Sequence, residues 1–169
     1  MTLPTGVQAV SEARYDNPDS ALHYLKLLSN SFSYALPGSL YEISPDFGMV
    51  VQAWTIYSVA VPVVNYFFGV QPSAYNKAVT IRPRLPQSWK TASLNNIKVG
   101  DNVISVAIES SGHTKTYTLS QSREDWKLVL DIKEAKEVFV NGKKIAIEIL
   151  RDNPNLSLTG KKNIVVVKT

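Results

Sequence analysis

Residues 38–68 read GSLYEISPDFGMVVQAWTIYSVAVPVVNYFF. One carboxylate, Glu42, lies in a turn-rich stretch, and the most apolar run of the chain follows it directly. From Met49 to Phe68 only Gln52, Thr55, Ser58 and Asn65 are polar and no residue is charged, so a helix here is hydrophobic nearly all round and has to be covered. Gln52, Thr55 and Ser58 recur every third residue, which aligns them on one narrow helical stripe expected to face a pocket. The helix is expected to run from Pro45 or Phe47 to Phe68. Pro62 deprives the residue 58 carbonyl of its partner, so a kink is expected near Ser58, at a cost of about 3 kcal/mol.

About 20 apolar residues can span a bilayer. This run, however, contains Gln52, Pro62 and Asn65, follows Asp46, and meets no basic residue until Lys77. It lacks the flanking cations that orient a membrane span. A buried core helix is the reading, with no membrane partner.

At 169 residues, 44% hydrophobic and 19% charged, the chain has the composition of one ordinary globular domain or two small ones. The absence of cysteine excludes a disulfide framework and any thiolate metal site. The start, MTLPTGVQAVSEARYDN, has no basic region leading into an apolar run, so no signal peptide is expected and a cytoplasmic location is the default. The net charge of +4 conceals an asymmetry. Residues 1–78 hold three basic side chains (Arg14, Lys26, Lys77) against five acidic ones (Glu12, Asp16, Asp19, Glu42, Asp46), giving −2, and the remainder carries +6. That break predicts a helical segment over 1–78 and a second domain over 79–169. The lysines of the second half are spread along alternating positions instead of being massed with aromatics, which describes solvated strand faces and not a nucleic-acid surface.

Taken in order, Thr5–Tyr15 reads as a helix with Thr5 as cap and Val7, Val10 and Ala13 on its apolar face, Ala9 beside them. Asn17, Pro18 and Asp19 start a second helix that runs to about Ser29 with Ala21, Leu22, Leu25 and Leu28 inward. Their short link makes the pair an antiparallel hairpin. Residues 29–48 form a long connection too rich in Phe32, Tyr34, Leu36, Leu40 and Tyr41 for disorder, so an ordered loop carrying a site is expected. Beyond Gly69 the period changes to two. Val79–Pro83, Leu94–Val99, Asn102–Glu109, Thr114–Leu119, Trp126–Leu130, Glu137–Val140, Lys143–Ile149 and Ile164–Val167 read as strands. Asn141–Gly142 marks a two-residue hairpin turn with positive φ at both positions. The fold class is therefore α+β, its second part an antiparallel β-sandwich.

Few residues carry chemistry. His23 and His113 are the only histidines. One sits on a helix flank and the other in a hairpin turn, so neither a triad nor a metal site is expected. No phosphate loop or dinucleotide fingerprint occurs, and Ser39 and Ser44 lack a base. Neither a cofactor nor a metal is expected. Glu42, between Tyr41 and Ile43 in a loop leading into a buried helix, either ties the loop or, desolvated there, serves proton transfer. Trp54 and Tyr57 read as core or as an aromatic platform for the apolar face of a sugar. Arg82, Arg84 and Trp89 read as domain-interface residues around the IRPRLP hinge.

GSLYEI followed by GMVVQAWTIYSVAVPVV resembles the last helical hairpin of glycosidases built on an (α/α)6 barrel, in particular the glycogen-debranching (amylo-α-1,6-glucosidase) group and its relatives among the α-L-rhamnosidases and α-glucosidases. TGVQAVSEARYDNPDSALHYLKLL is similar to the preceding hairpin of that family, and residues 69–106 to its passage into a C-terminal β-sandwich. The likeness covers about residues 5–110. It implies a remnant of the helical barrel followed by the sandwich, with Glu42 as the general base that activates water. Gln52 and Trp54 match its motif positions and, with Tyr41, are expected to bind substrate. Thr55 stands where the family has serine.

An (α/α)6 barrel needs roughly twelve helices of 10 to 20 residues, and three are expected here. None of Glu12, Asp16, Asp19 or Asp46 lies in a matching motif, so no catalytic acid is assigned. The resemblance implies a carbohydrate substrate, inactivity of these residues alone, and either a partner chain supplying the missing barrel or a homo-oligomer. The alternatives are a non-catalytic carbohydrate-binding or structural interaction module and a membrane-associated protein using residues 49–68.

Overall fold

The change of period at Gly69 is where the fold changes. In the computed structural model, which describes residues 2–43, 47–133, 135–148, 150 and 153–169, Met1–Gly69 and Arg84–Ser88 form one unit, and Val70–Pro83 with Trp89–Thr169 form the other. The division precedes the 78/79 boundary expected from charge because the first strand of the second unit, VQPS, bears no charge to mark it. Among the described residues the chain is α+β, with three α-helices and ten strands in two sheets.

In the helical unit, α1 spans Thr2–Arg14, α2 Pro18–Ser29 and α3 Ala53–Val61. The break between α1 and α2 follows from Asp16 at φ 64° and from Pro18 opening α2 with Asp19 in its first turn. Asn17 occupies the cap position, but its side chain turns back and donates to Glu12 Oε2 at 3.1 Å. The buried face of α1 is Thr2, Gly6, Ala9 and Ala13, while Val7 is exposed. The expected Val7/Val10 face is thus replaced by a stripe of small residues, which lets backbones approach closely. The helix contacts both α2 and α3. Arg84–Ser88 is fastened to this unit through Arg84 N–H to Phe67 O (2.9 Å), Arg84 to Asp16 (3.4 Å) and Gln87 N–H to Asp19 Oδ1 (2.9 Å).

The third helix is shorter than expected. Residues 47–52 are not helical, with bends at Gly48, Val50 and Val51, because Phe47, Met49 and Gln52 pair their backbone groups with residues 40–43, so α3 begins only at Ala53. Pro62 does not interrupt the turn before it. It opens a π-helical turn, Pro62–Phe67, after which the Phe68 N–H reaches Val63 O at 3.0 Å. The missing N–H costs least at the first position of a new turn, and the irregularity falls after the proline instead of near Ser58.

The second unit contains β1 (Val70–Ser73), β2 (Ala78–Ile81), β3 (Thr91–Val99), β4 (Asn102–Ser111), β5 (Thr114–Gln121), β6 (Lys127–Asp131), β7 (Glu137–Val140), β8 (Lys143–Ile145), β9 (Asn155–Leu158) and β10 (Lys162–Lys168). Their order is β1-β2-β6-β9 in one sheet and β3-β4-β5-β10-β7-β8 in the other. Every pairing is antiparallel except β2 with β6, which is parallel, Val79 opposite Leu128. This corrects the all-antiparallel expectation. The chain leaves β2, builds β3 to β5 in the other sheet and returns as β6, and such a crossover is what a parallel pair requires. The strands β1 and β9 are additions; each has four residues, and β1 holds Pro72, which an edge position tolerates.

Alternation is obeyed. On β4 Ile104, Val106 and Ile108 are buried, with Leu119 on β5, Val165 and Val167 on β10 and Val138 on β7; the four-stranded sheet buries Val79, Ile81, Leu128, Leu130 and Leu158. Asn141 and Gly142 join β7 to β8 with φ of 49° and 81°, the expected turn. A polar knot lies within this core. Asn102 Nδ2 donates to Gln121 Oε1 (3.1 Å), Gln121 Nε2 donates to the Trp126 and Gly160 carbonyls (both 3.0 Å), and Asn102 Oδ1 accepts from the Ser122 and Arg123 N–H groups (both 3.1 Å). Beside it, the buried Trp126 ring lies against Gly100, where a Cβ would come within 3.3 Å of it, and Trp126 Nε1 donates to Asp101 Oδ1.

Candidate functional site

The non-helical residues that shorten α3 create the site. Leu40–Ile43 runs beside Phe47–Gln52: Gln52 N–H donates to Leu40 O, Glu42 N–H to Met49 O, and Ile43 and Phe47 exchange bonds, all at 3.0–3.1 Å. Residues 44–46 lie outside the described residues, so Ser44, Pro45 and Asp46 have no structural account. The start of α1 fastens this ribbon from the other side. Leu3 N–H donates to Glu42 O (3.1 Å), and the Thr2 hydroxyl lies 2.6 Å from Tyr41 O and 2.5 Å from Glu42 O. One of the N–H groups that a helix start leaves without an internal partner is thereby satisfied.

Glu42 is half-buried. Its carboxylate lies against Gly48, and its Oε2 accepts the Met49 N–H at 3.3 Å. A Cβ built on Gly48 would fall 2.8 Å from Glu42 Oε2, 3.1 Å from its Cβ and 3.3 Å from its Cδ. Gly48 also has φ +78°, a conformation that glycine adopts without strain. Among the described residues, no other hydrogen-bond donor and no cation reaches the Glu42 carboxylate. The group can therefore take a proton through Oε1 while Oε2 stays tethered.

The other expected residues fall around this ribbon. Tyr41 is buried, with the exposed Tyr34 edge-on to it at 6.2 Å between ring centroids. Gln52 is the cap residue of α3, and its carbonyl accepts from the Thr55 and Ile56 N–H groups while its side chain makes no cap bond. Trp54, in the first turn of α3, is 67% exposed. The ribbon thus joins Tyr41, Glu42 and Gln52, with Trp54 two residues further on. Sequence reasoning missed the parts that Gly48, Thr2 and Tyr34 play here; the Phe47–Gly48 dipeptide before MVVQAW was the available signal for Gly48.

The polar stripe does not face a pocket. Thr55 and Ser58 are fully buried, and Ser58 meets α1 where a Cβ on Gly6 would lie 2.6 Å from the Ser58 Cβ. Trp54 and Tyr57 are exposed on α3, so neither is core. The helix therefore turns small and polar residues inward and large aromatic ones outward. In the adjoining ribbon Phe47, Met49, Val50 and Val51 are exposed as well.

Ser39 has a structural role: it is buried, donates to Leu36 O and accepts the Leu36 N–H. His23 packs edge-on to Tyr24, and His113 lies in the β4–β5 turn. Arg82 pairs with the buried Asp131 at 2.7 Å, and Arg84 with Asp16 at 3.4 Å. Among the described residues, no group of three His, Asp or Glu side chains could hold a metal ion, and no helix is long and apolar enough to cross a membrane. No protein-family model matches the chain, and no curated protein matches it.

Proposed function

We propose that these residues are the C-terminal portion of a glycoside hydrolase acting on α-linked oligo- or polysaccharide, with the helical unit a remnant of an (α/α)6 barrel and the two sheets its β-sandwich. The observation that carries this reading is the reversed polarity of α3, with Thr55 and Ser58 buried and Trp54 and Tyr57 exposed. Such a face is expected where further helices or a sugar would cover it.

In this reading Glu42 Oε1 takes a proton from water as the water oxygen attacks the anomeric carbon. The glycosidic bond breaks, and a second carboxyl, about 6.5–9.5 Å away, gives its proton to the leaving oxygen. That acid and the remaining hairpins come from residues outside these 169, in a longer polypeptide or a partner chain. The exposed Trp54 face stacks on a sugar ring, and Tyr41 and Gln52 line the approach. These residues alone are inactive. The test is hydrolysis of maltooligosaccharides, isomaltose-type linkages and aryl glycosides by the protein together with the chain that completes it. Loss of turnover in Glu42→Gln supports the reading, and unchanged turnover overturns it.

Exposure of Trp54 also supports a non-catalytic carbohydrate-binding module. Sugar-dependent quenching of tryptophan fluorescence that is lost in Trp54→Phe, unchanged in Glu42→Gln, and unaccompanied by hydrolysis would establish that reading instead.

A further inference from the structure

Resting on the assignment of Glu42 as general base, we infer that Gly48 is its positioning residue: the missing Cβ makes the space in which the carboxylate lies with Oε2 tethered and Oε1 free. The bland explanation is that Gly48 only serves a turn, since its φ of +78° favours glycine. The chain contains its own control. Gly38 has nearly the same φ, +76°, yet among the described residues a Cβ there meets nothing within 4 Å. The two positions share the backbone requirement and differ in the carboxylate. At Gly48 the Cβ would fall 2.8 Å from Oε2, inside any contact that real Cβ atoms tolerate, and the side chain would have to leave the Met49 N–H.

The pairing around it makes this a site of position and not merely of space. Met49 O accepts the Glu42 N–H at 3.0 Å, and Met49 N–H donates to the Glu42 carboxylate at 3.3 Å. One residue thus holds Glu42 at both ends, and its approach passes through Gly48. The Glu42 carbonyl is held in turn by Leu3 and Thr2, so the backbone does not yield easily to a displaced side chain. Because one backbone donor occupies Oε2, a proton is received at Oε1.

The amide of Met49 is the probe. In the wild-type chain its proton shift should follow acidification as the carboxylate loses its charge, and in Glu42→Gln that response should vanish. Gly38→Ala should retain the response, whereas Gly48→Ala should lose it. The fall in Tm caused by Gly48→Ala should shrink to less than half in a Glu42→Ala background. Equal responses in Gly38→Ala and Gly48→Ala, or equal Tm losses in both backgrounds, would overturn the inference. Should Gly48→Ala not fold, the wild type and Glu42→Gln still decide it, because a Met49 shift indifferent to acid in the wild type removes the tether.

In the completed enzyme, Gly48→Ala should lower kcat about 100-fold with KM unchanged. A fall in kcat/KM through KM alone would also count against it. If hydrolysis is indifferent to Glu42→Gln, the glycosidase reading fails, while the Met49 amide still decides whether Gly48 holds the carboxylate.

Discussion

Gly6 on α1 and Ser58 on α3 meet so closely that a Cβ on Gly6 would lie 2.5 Å from the Ser58 hydroxyl. Alanine normally stabilises a helix over glycine by about 1 kcal/mol. Here it would overpack the crossing, a change that costs about 1–3 kcal/mol. Gly6→Ala is therefore expected to lower stability by up to about 2 kcal/mol in urea unfolding, and Ser58→Gly should recover part of the loss. A stabilised Gly6→Ala would show that the helices do not cross at this distance.

Thr55 is fully buried and, among the described residues, its hydroxyl has no hydrogen-bond partner. Valine keeps the branched shape and removes the unpaired group, whose desolvation costs about 1–3 kcal/mol. We predict that Thr55→Val raises stability by about 1 kcal/mol. A measured loss would mean that the hydroxyl is hydrogen-bonded in solution.

Asn102, buried at the start of β4, ties that strand to Gln121, Ser122 and Arg123 at the end of β5. Asn102→Ala leaves the Arg123 N–H and Gln121 Oε1 without that partner, while the Ser122 N–H keeps its bond to Val103 O at 2.9 Å, and an orphaned group costs about 1–3 kcal/mol when it is buried. A loss of about 2 kcal/mol is expected, with Trp126 near-ultraviolet dichroism changing at lower denaturant. A loss below about 1 kcal/mol would mean that water replaces the amide without strain.

Hydrogen bonds from Lys144 and then Lys168 hold the Glu137 carboxyl down to about 2, from its ordinary 4.5. Because the folded value is the lower one, this contribution is complete above about 4.5 and disappears as pH falls through about 2. Glu137→Gln should flatten the pH dependence of stability within that acid window. It should leave the dependence above pH 5 unaltered, which thermal melts across the range would show.

The sheet unit was legible where one face is buried. Ile104, Val106 and Ile108 alternate with smaller or polar residues, and Asn141–Gly142 fixes its turn by conformation alone. Strand β1 was not legible because Pro72 argues against a strand, β9 offers only Leu156 and Leu158 as apolar positions, and the parallel neighbour of β2 lies far along the chain. In the helical unit, composition misled. Phe47, Met49, Val50 and Val51 look like helix, but backbone groups of Phe47, Met49 and Gln52 on either side are already committed to residues 40–43. The face of α3 was inverted for a similar reason: hydrophobicity shows that a side chain wants cover and not what supplies it. Glu42 stood out as an isolated carboxylate, whereas the closeness of Gly48 to it is a through-space fact with only a dipeptide to announce it.

The parallel pairing of β2 with β6 has a consequence in time. Two-residue turns bring β3, β4 and β5 together, whereas Val79 must find Leu128 across a loop of roughly 50 residues, whose closure entropy precedes any reward. We predict that the β3–β5 meander gains its amide protection first and β2 last, as pulse-labelled exchange would resolve. Simultaneous protection would count against this order. Until that late step, the chain presents the unpaired edge of β6 to its neighbours, so crowding during refolding should divert it into aggregates at the sheet that closes last.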